Sequence, residues 1–258
     1  MTAKSVLAIA AHPDDIEFLM SGTMLRLKDA GFQLHYFNVA NGCCGSMIHD
    51  RATTAAIRLK EAQCSAERMG ARFHPPVGDD LDIFYERGLL AKVAAVVREV
   101  APDILLTHAP VDYMEDHVNT CRLAVTAAFA RGMPNFTTDP PRKAVGKPVT
   151  LYHAQPYYNH DPLGKLVQPE IYVDVTDLKE KKAELLCCHA SQREWLDQTQ
   201  GQDSYVATMH RLDQQVGHMS GVFQYAEGWR HHLHVGFCQE FDDPLRIALE
   251  ACICVACA

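Results

Sequence analysis

The chain has 258 residues, of which 48% are hydrophobic and 22% charged, with a formal net charge of −8. That length supports one large core or two small ones. An acidic balance with no Lys/Arg run argues against nucleic acid or an anionic membrane surface as partner. No apolar stretch approaches the roughly 20 residues of a membrane span. The opening MTAKSVLAIAAHPDD holds one Lys, a short apolar run and then acids. That is a strand pattern rather than a secretory leader, so a cytoplasmic protein is expected. The ten cysteines include the adjacent pairs Cys43-Cys44 and Cys187-Cys188, which suit buried reduced thiols better than a disulfide framework. The tail Cys252-Ile-Cys254-Val-Ala-Cys257 has no second knuckle to complete a zinc site and reads as peripheral.

Apolar runs alternate with helix-period segments, the signature of a mostly parallel sheet with helices on both faces. A strand over 6–10 leads to a helix over about 18–30, where Leu19, Met20, Leu25 and Leu27 form the apolar side and Gly31 the stop. A second strand spans 34–39, followed by the small-residue loop Asn41–Ser46. A long helix covers 53–69 and ends at Gly70; another covers 89–100 and closes before Pro102. A short strand at 104–107 runs into the polar loop HAPVDYMEDH, and a helix follows over 119–130. Residues 133–148 hold four prolines without periodicity and read as a surface loop. Strands are expected at 149–153 and 171–175, then a helix capped by Thr176 that runs to about His189. The remaining stretch of about 70 residues, rich in His and aromatics, is expected across the mouth of the sheet or in subunit contacts. No boundary demands a second domain, so residues 1–258 are read as one, an α/β Rossmann-like unit with its site at the carboxyl ends of the strands.

The first strand stops at His12, Asp14, Asp15 and Glu17. Burying four such groups without a partner is costly, and a divalent cation is the natural partner. The loop after the strand at 104–107 carries Asp112, Glu115, Asp116 and His117. Strands that are neighbours in a doubly wound sheet bring such loops together. His12, Asp15 and His117 then form a His₂-carboxylate set with an open position for water, the composition of catalytic zinc. Asp14, between two of them, faces that water. Each motif alone also reads blandly: HPDD as a helix N-cap with Pro and acids in the first turn, and Asp116-His117 as a solvated pair or a helix start.

AHPDDIEF at 11–18 closely resembles the A-H-P-D-D-x-E signature of the PIG-L/LmbE family of metal-dependent N-acetylglucosamine deacetylases. Further segments are similar in the same order: Asn41-Gly-Cys-Cys-Gly-Ser46, Arg58-Leu-Lys-Glu61-Ala62 with Met69-Gly70, Asp112-Tyr-Met-Glu-Asp116-His117, and Lys182 through His189-Ala-Ser191-Gln192. The resemblance implies Zn²⁺, with Fe²⁺ as an alternative, bound by His12, Asp15 and His117. It implies Asp14 as general base and His189 as a second catalytic group. Arg58, Asp112 and Met114 fall at substrate-binding positions, although Arg58 also reads as a helix-surface partner of Glu61 or Glu67 and His189 as a structural histidine. The expected substrate is a small N-acetyl amino-sugar conjugate, and a homo-oligomer is expected. One departure matters: the family often has His where this chain has Met114, and a thioether donates no hydrogen bond. His108, His153 and His189 are the candidates to stabilise the oxyanion instead. The other readings are a non-catalytic carbohydrate-binding protein and an amidase acting on a different acyl amine. The aglycone is expected to be chosen by 134–147, by Tyr157-Tyr158-Asn159-His160 and by 229–234.

Overall fold

In the computed structural model, which describes residues 4–193 and 205–256, the first strand sorts the molecule into layers. β1 (Ser5–Ala10) is buried along its whole length. Its Val6, Ala8 and Ala10 enter one apolar cluster, while Leu7 and Ile9 enter another with Ala11. Successive strand residues face opposite sides, so both faces of the sheet must be covered. β2 (Gln33–Asn38), β3 (Ala71–His74), β4 (Ile104–Thr107) and β5 (Thr150–Ala154) join β1 in parallel. β6 (Ile171–Asp174), β7 (Ala226–His231) and β8 (Ile253–Val255) complete an eight-stranded sheet of order β3-β2-β1-β4-β5-β7-β6-β8, all three in antiparallel pairings.

α1 (Asp15–Leu19), α2 (Ser21–Asp29) and α3 (Arg51–Met69) cover the Val6 face. α4 (Arg87–Val100) and α5 (Glu115–Ala130) cover the Leu7 face. α6 (Lys179–Leu186), α7 (Tyr205–Ser220) and α8 (Pro244–Ala248) return to the first. The long α3 starts where the Asp50 side chain accepts the Thr53 N–H at 2.8 Å, and stops at Gly70, whose φ of 77° suits glycine. No described helix is long and apolar enough to cross a membrane.

The mostly parallel α/β architecture is as expected, with five differences in detail. The helix expected over 18–30 is two helices broken at Met20, and the first begins at Asp15. β3 carries no alternation strong enough to announce it, because it is a short edge strand with Arg72 and Ala71 partly exposed. α5 begins at Glu115 rather than Asn119, which puts Asp116 and His117 in its first turn. Thr176 caps no helix: it opens a 3₁₀ turn, α6 starts at Lys179 with no side-chain cap, and His189 lies beyond its end. The C-terminal stretch supplies strands and helices to the sheet itself, including the Trp229–His231 part of the His-rich run, and Trp229 is fully buried. The described cysteines are free, and Cys254 lies on the last strand. Cys257 falls outside the described residues.

Candidate active site

Strand order runs outward from β1 in both directions, so the crevice between the carboxyl ends of β1 and β4 is a topological switch point, where open α/β sheets bind ligands. His12, Asp14 and Asp15 follow β1 there, and Asp112 through His117 follow β4. His12, Asp15 and His117 each offer a ligand atom, and these atoms lie within 4.8 Å of one another. The Asp15 carboxylate is 3.5 Å from His12 Nδ1 and 3.4 Å from His117 Nε2. A carboxylate holds the far nitrogen of each imidazole: Asp116 Oδ2 lies 3.0 Å from His12 Nε2, and Asp112 Oδ1 lies 3.0 Å from His117 Nδ1. Such partners fix the ring orientation and raise the basicity of a metal-ligating histidine.

The electrostatics favour positive charge at this point. Burial alone would depress both imidazoles, but hydrogen bonds to Asp116 and Asp15 push His12 up to about 9, and Asp15 and Asp112 push His117 up to about 10. Asp15 is held well below the usual carboxylate range: burial opposes this, and the neighbouring His117 and His108 outweigh it. A divalent cation satisfies the same demand with both imidazoles neutral, so the donor set fits one. Two other donor groupings among the described residues fit less well. In His108–Asp112–His117, the Ala11 N–H already donates to His108 Nε2 at 2.9 Å, and Asp112 also accepts from Tyr157 N. In Cys43–Cys44–Asp80, both Asp80 oxygens accept backbone N–H groups, from Gly42 and Cys44.

Asp14 points elsewhere. Its φ of 105° is a left-handed conformation that costs energy in any residue but glycine. Its Oδ2 accepts from the Tyr205 hydroxyl and lies 3.4 Å from Arg58 Nη2. Burial pushes the carboxyl up to about 6, against the pull of the Arg58 guanidinium. Arg58, buried on α3, also donates to the Pro13 carbonyl. The loop after β2 closes over it: a Cβ on Gly42, where φ is 78°, would stand 2.5 Å from Arg58 Cδ. The small residues of Asn41–Ser46 are therefore a packing requirement.

These groups line a cavity of about 380 Å³ together with Phe18, Cys44, Asp80, Tyr113, Met114, Tyr157 and Gln192. His12, Asp14, Asp15, Arg58, Met114 and His117 are thus brought together as expected. Asp112 is not: it stands behind His117 with its side chain fully buried, and it holds the ring rather than touching the cavity. His189 is not on the wall either. It is fully buried, 3.3 Å from Glu17, and that carboxylate raises the imidazole despite burial. Glu17 also accepts from the Ser65 and Tyr36 hydroxyls, so the last acid of the first motif is a support beneath the site. His108 and His153, the other candidates to replace the missing donor at Met114, also lie off the wall. His108 sits against Asp15, and His153 lies between the His108 carbonyl and His232. Tyr113, adjacent to Met114, is a lining donor. Tyr205 is the residue that sequence reasoning missed, and Asp116 was named in its motif without a role. Asp116 was readable from its place beside His117, whereas Tyr205 has no local motif.

The fold and this pocket define an α/β protein with a His/carboxylate site at the carboxyl ends of its strands. The model of the PIG-L family, described as GlcNAc-PI de-N-acetylase, matches residues 7–128. The chain is 29% identical over 233 residues to the diacetylchitobiose deacetylase of Thermococcus kodakarensis, covering 88% of this chain and 82% of that protein. It is 26% identical over 197 residues to the 4-oxalmesaconate hydratase of Pseudomonas putida, covering 73% and 74%. Among solved structures it resembles the N,N'-diacetylchitobiose deacetylase of Pyrococcus horikoshii in complex with an inhibitor. That likeness has a TM-score of 0.74 and 26% identity, and covers 91% of this chain and 85% of the other.

Proposed function

We propose that the protein is a metal-dependent hydrolase that removes the N-acetyl group from a small N-acetylglucosamine-containing molecule and releases acetate. The observation that carries this is the convergence of His12, Asp15 and His117 on one point of a cavity whose wall also presents Asp14. Those three side chains would hold a Zn²⁺ or Fe²⁺ ion, which would supply Lewis acidity toward water and the amide carbonyl at neutral pH. Asp14 takes the proton of the attacking water at its carboxylate and returns it to the departing amine nitrogen. Arg58 and the Tyr205 hydroxyl fix the Asp14 carboxylate in place. Asp112 and Asp116 hold the imidazoles, and Glu17 braces the layer below. Tyr113 provides a hydroxyl where Met114 provides none.

The likeness to a hydratase raises a second reading, water addition to an unsaturated acid. The walls disfavour it. A polycarboxylate needs cations beyond a single metal ion, and Arg58 is the one Lys or Arg among the described lining residues, already engaged by Asp14 and the Pro13 carbonyl. An uncharged amide substrate needs no such counter-charge. The test is acetate release from N-acetylglucosamine and N,N'-diacetylchitobiose by protein as purified, after chelation, and after Zn²⁺ or Fe²⁺ is restored. Release that stops with chelator and returns with metal is expected; no release from either sugar by metal-loaded protein overturns the proposal.

A further inference from the structure

α3 carries more than the cavity-lining Arg58. One turn further on, Glu61 accepts the Ser191 N–H at 2.9 Å and the Ser191 hydroxyl at 2.6 Å. Cys64, three residues beyond Glu61 and so its neighbour on the helix surface, meets Cys188 with the two sulfurs 3.5 Å apart. The segment that follows α6 is thus seated on α3 at two points. Its next residue, Gln192, lines the cavity.

The Cys188 sulfur is held where it stands. The Cys188 and His189 N–H groups donate to the Leu185 and Leu186 carbonyls at 3.1 and 3.0 Å, which carries the turn on from α6. Leu185, Leu186 and His189 are all fully buried, so the backbone on both sides of Cys188 is anchored. Its Sγ donates to the Glu184 carbonyl at 3.7 Å while accepting from Cys64 Sγ. Both thiols are half-buried, which leaves them open to a small reagent. Their separation exceeds an S–S bond by about 1.5 Å, and small changes in the two side-chain torsions span that distance.

We infer that Cys64 and Cys188 are a site of reversible oxidative cross-linking, which latches the 187–192 segment, and with it the Gln192 part of the cavity wall, onto α3 whatever substrate the cavity takes. The oxidant is a small disulfide such as oxidised glutathione. Cys64 gives its proton to solvent, and its thiolate attacks one sulfur of the small disulfide, breaking that S–S bond and releasing one small thiolate. Cys188 then loses its proton, and its sulfur attacks Cys64 Sγ and displaces the second small thiolate. Both released thiolates take up a proton, so two protein thiols and one small disulfide become one protein disulfide and two small thiols. Burial and the adjoining Cys64 thiol push Cys188 up to about 12, so the second step quickens as pH rises. The two residues are 124 positions apart in sequence, a span over which a cross-link restricts the unfolded chain strongly.

The test equilibrates metal-loaded, full-length protein with mixtures of oxidised and reduced glutathione, without denaturant. Alkylation, digestion and mass spectrometry locate the link, and thermal unfolding with and without dithiothreitol reads its effect. A peptide pair joined through Cys64 and Cys188 is expected in the wild type and in Cys187→Ser, and is lost in Cys64→Ser and in Cys188→Ser. Oxidised wild type should unfold about 5 °C or more above the reduced form, a shift absent from both of the latter variants. Three outcomes overturn the inference: no link at any glutathione ratio, glutathione adducts or other cysteine pairings in place of Cys64–Cys188, or that link with no change in unfolding temperature.

Discussion

The five parallel strands and the three antiparallel ones reach the cavity by different routes. In the parallel half, His12, Asp14 and Asp15 stand directly after β1, and His117 stands in the first turn of the helix after β4. Two adjacent strands make a pair of short loops meet, whatever the rest of the chain does. Among the described residues, the antiparallel half places no His or carboxylate donor on that wall. It acts through α7, whose buried stripe includes Tyr205, Met209, Leu212 and Asp213. Lys182 on α6 lies 2.7 Å from both Asp213 and Glu227, and Glu227 on β7 accepts the Gly22 and Thr23 N–H groups at the start of α2. That buried network ties α6, α7, β7 and α2 together, and so holds the Tyr205 hydroxyl against Asp14. One half supplies reactive groups through local turns; the other keeps them in place through contacts about 200 residues apart in sequence, such as Thr23–Glu227.

This division is sharpest at Asp14 and Lys182. Asp14→Asn should retain bound metal yet lose activity by about 10²–10⁴, the usual weight of a general base. Metal analysis beside turnover checks it, and a fully active, metal-loaded variant would remove Asp14 from the chemistry. Lys182→Met should do the opposite. It leaves two buried carboxylates without their cation and should cost about 3–5 kcal/mol of stability, read as a lowered denaturant midpoint with unchanged slope. Unchanged stability would mean that the antiparallel half does not depend on this network.

The same contrast explains what the sequence disclosed. Apolar runs at 6–10 and 104–107 announce strands, and acids and histidines placed just after them announce a site, because strand, turn and donor are consecutive residues. Composition marked Asn41–Ser46 as a small-residue loop, while the approach of Gly42 to Arg58 emerged only in the fold. Tyr205 was out of reach: a tyrosine opening a helix is indistinguishable from a core residue until the chain is folded. Lys182 lay in a recognisable segment, yet its partners Asp213 and Glu227 belong to elements with no motif. Asp112, expected at a substrate-binding position, and His189, expected as a second catalytic group, do not line the cavity, since sequence order shows that a residue lies near a site but not which way its side chain is turned.

Within the parallel half the groups behind the imidazoles form the next test. Asp112→Asn and Asp116→Asn each remove a charge from a ring that faces Asp15, and each should weaken metal affinity about 10–100-fold without abolishing binding. Competition with a chelator of known affinity measures it. Affinity equal to wild type would make both carboxylates merely structural, and the two halves would then differ less than the geometry indicates.

The pH-dependent effect belongs to Asp213. Burial pushes its carboxyl up to about 7 although Lys182 resists, and Glu227 adds to the rise. The unfolded value is near 3.8. Between those two values the native state keeps a proton that the unfolded chain has released, so stability falls as pH rises through that window. Lys182 is also raised, but from 10.5, so its own contribution is lost only in more alkaline solution. Asp213→Asn keeps the shape and removes the titrating group, and the decline between about pH 4 and pH 7 should flatten relative to wild type. Denaturant midpoints for both proteins across that range decide the matter. Parallel curves would show that Asp213 is ionised throughout and that Lys182 carries its charge between two full carboxylates.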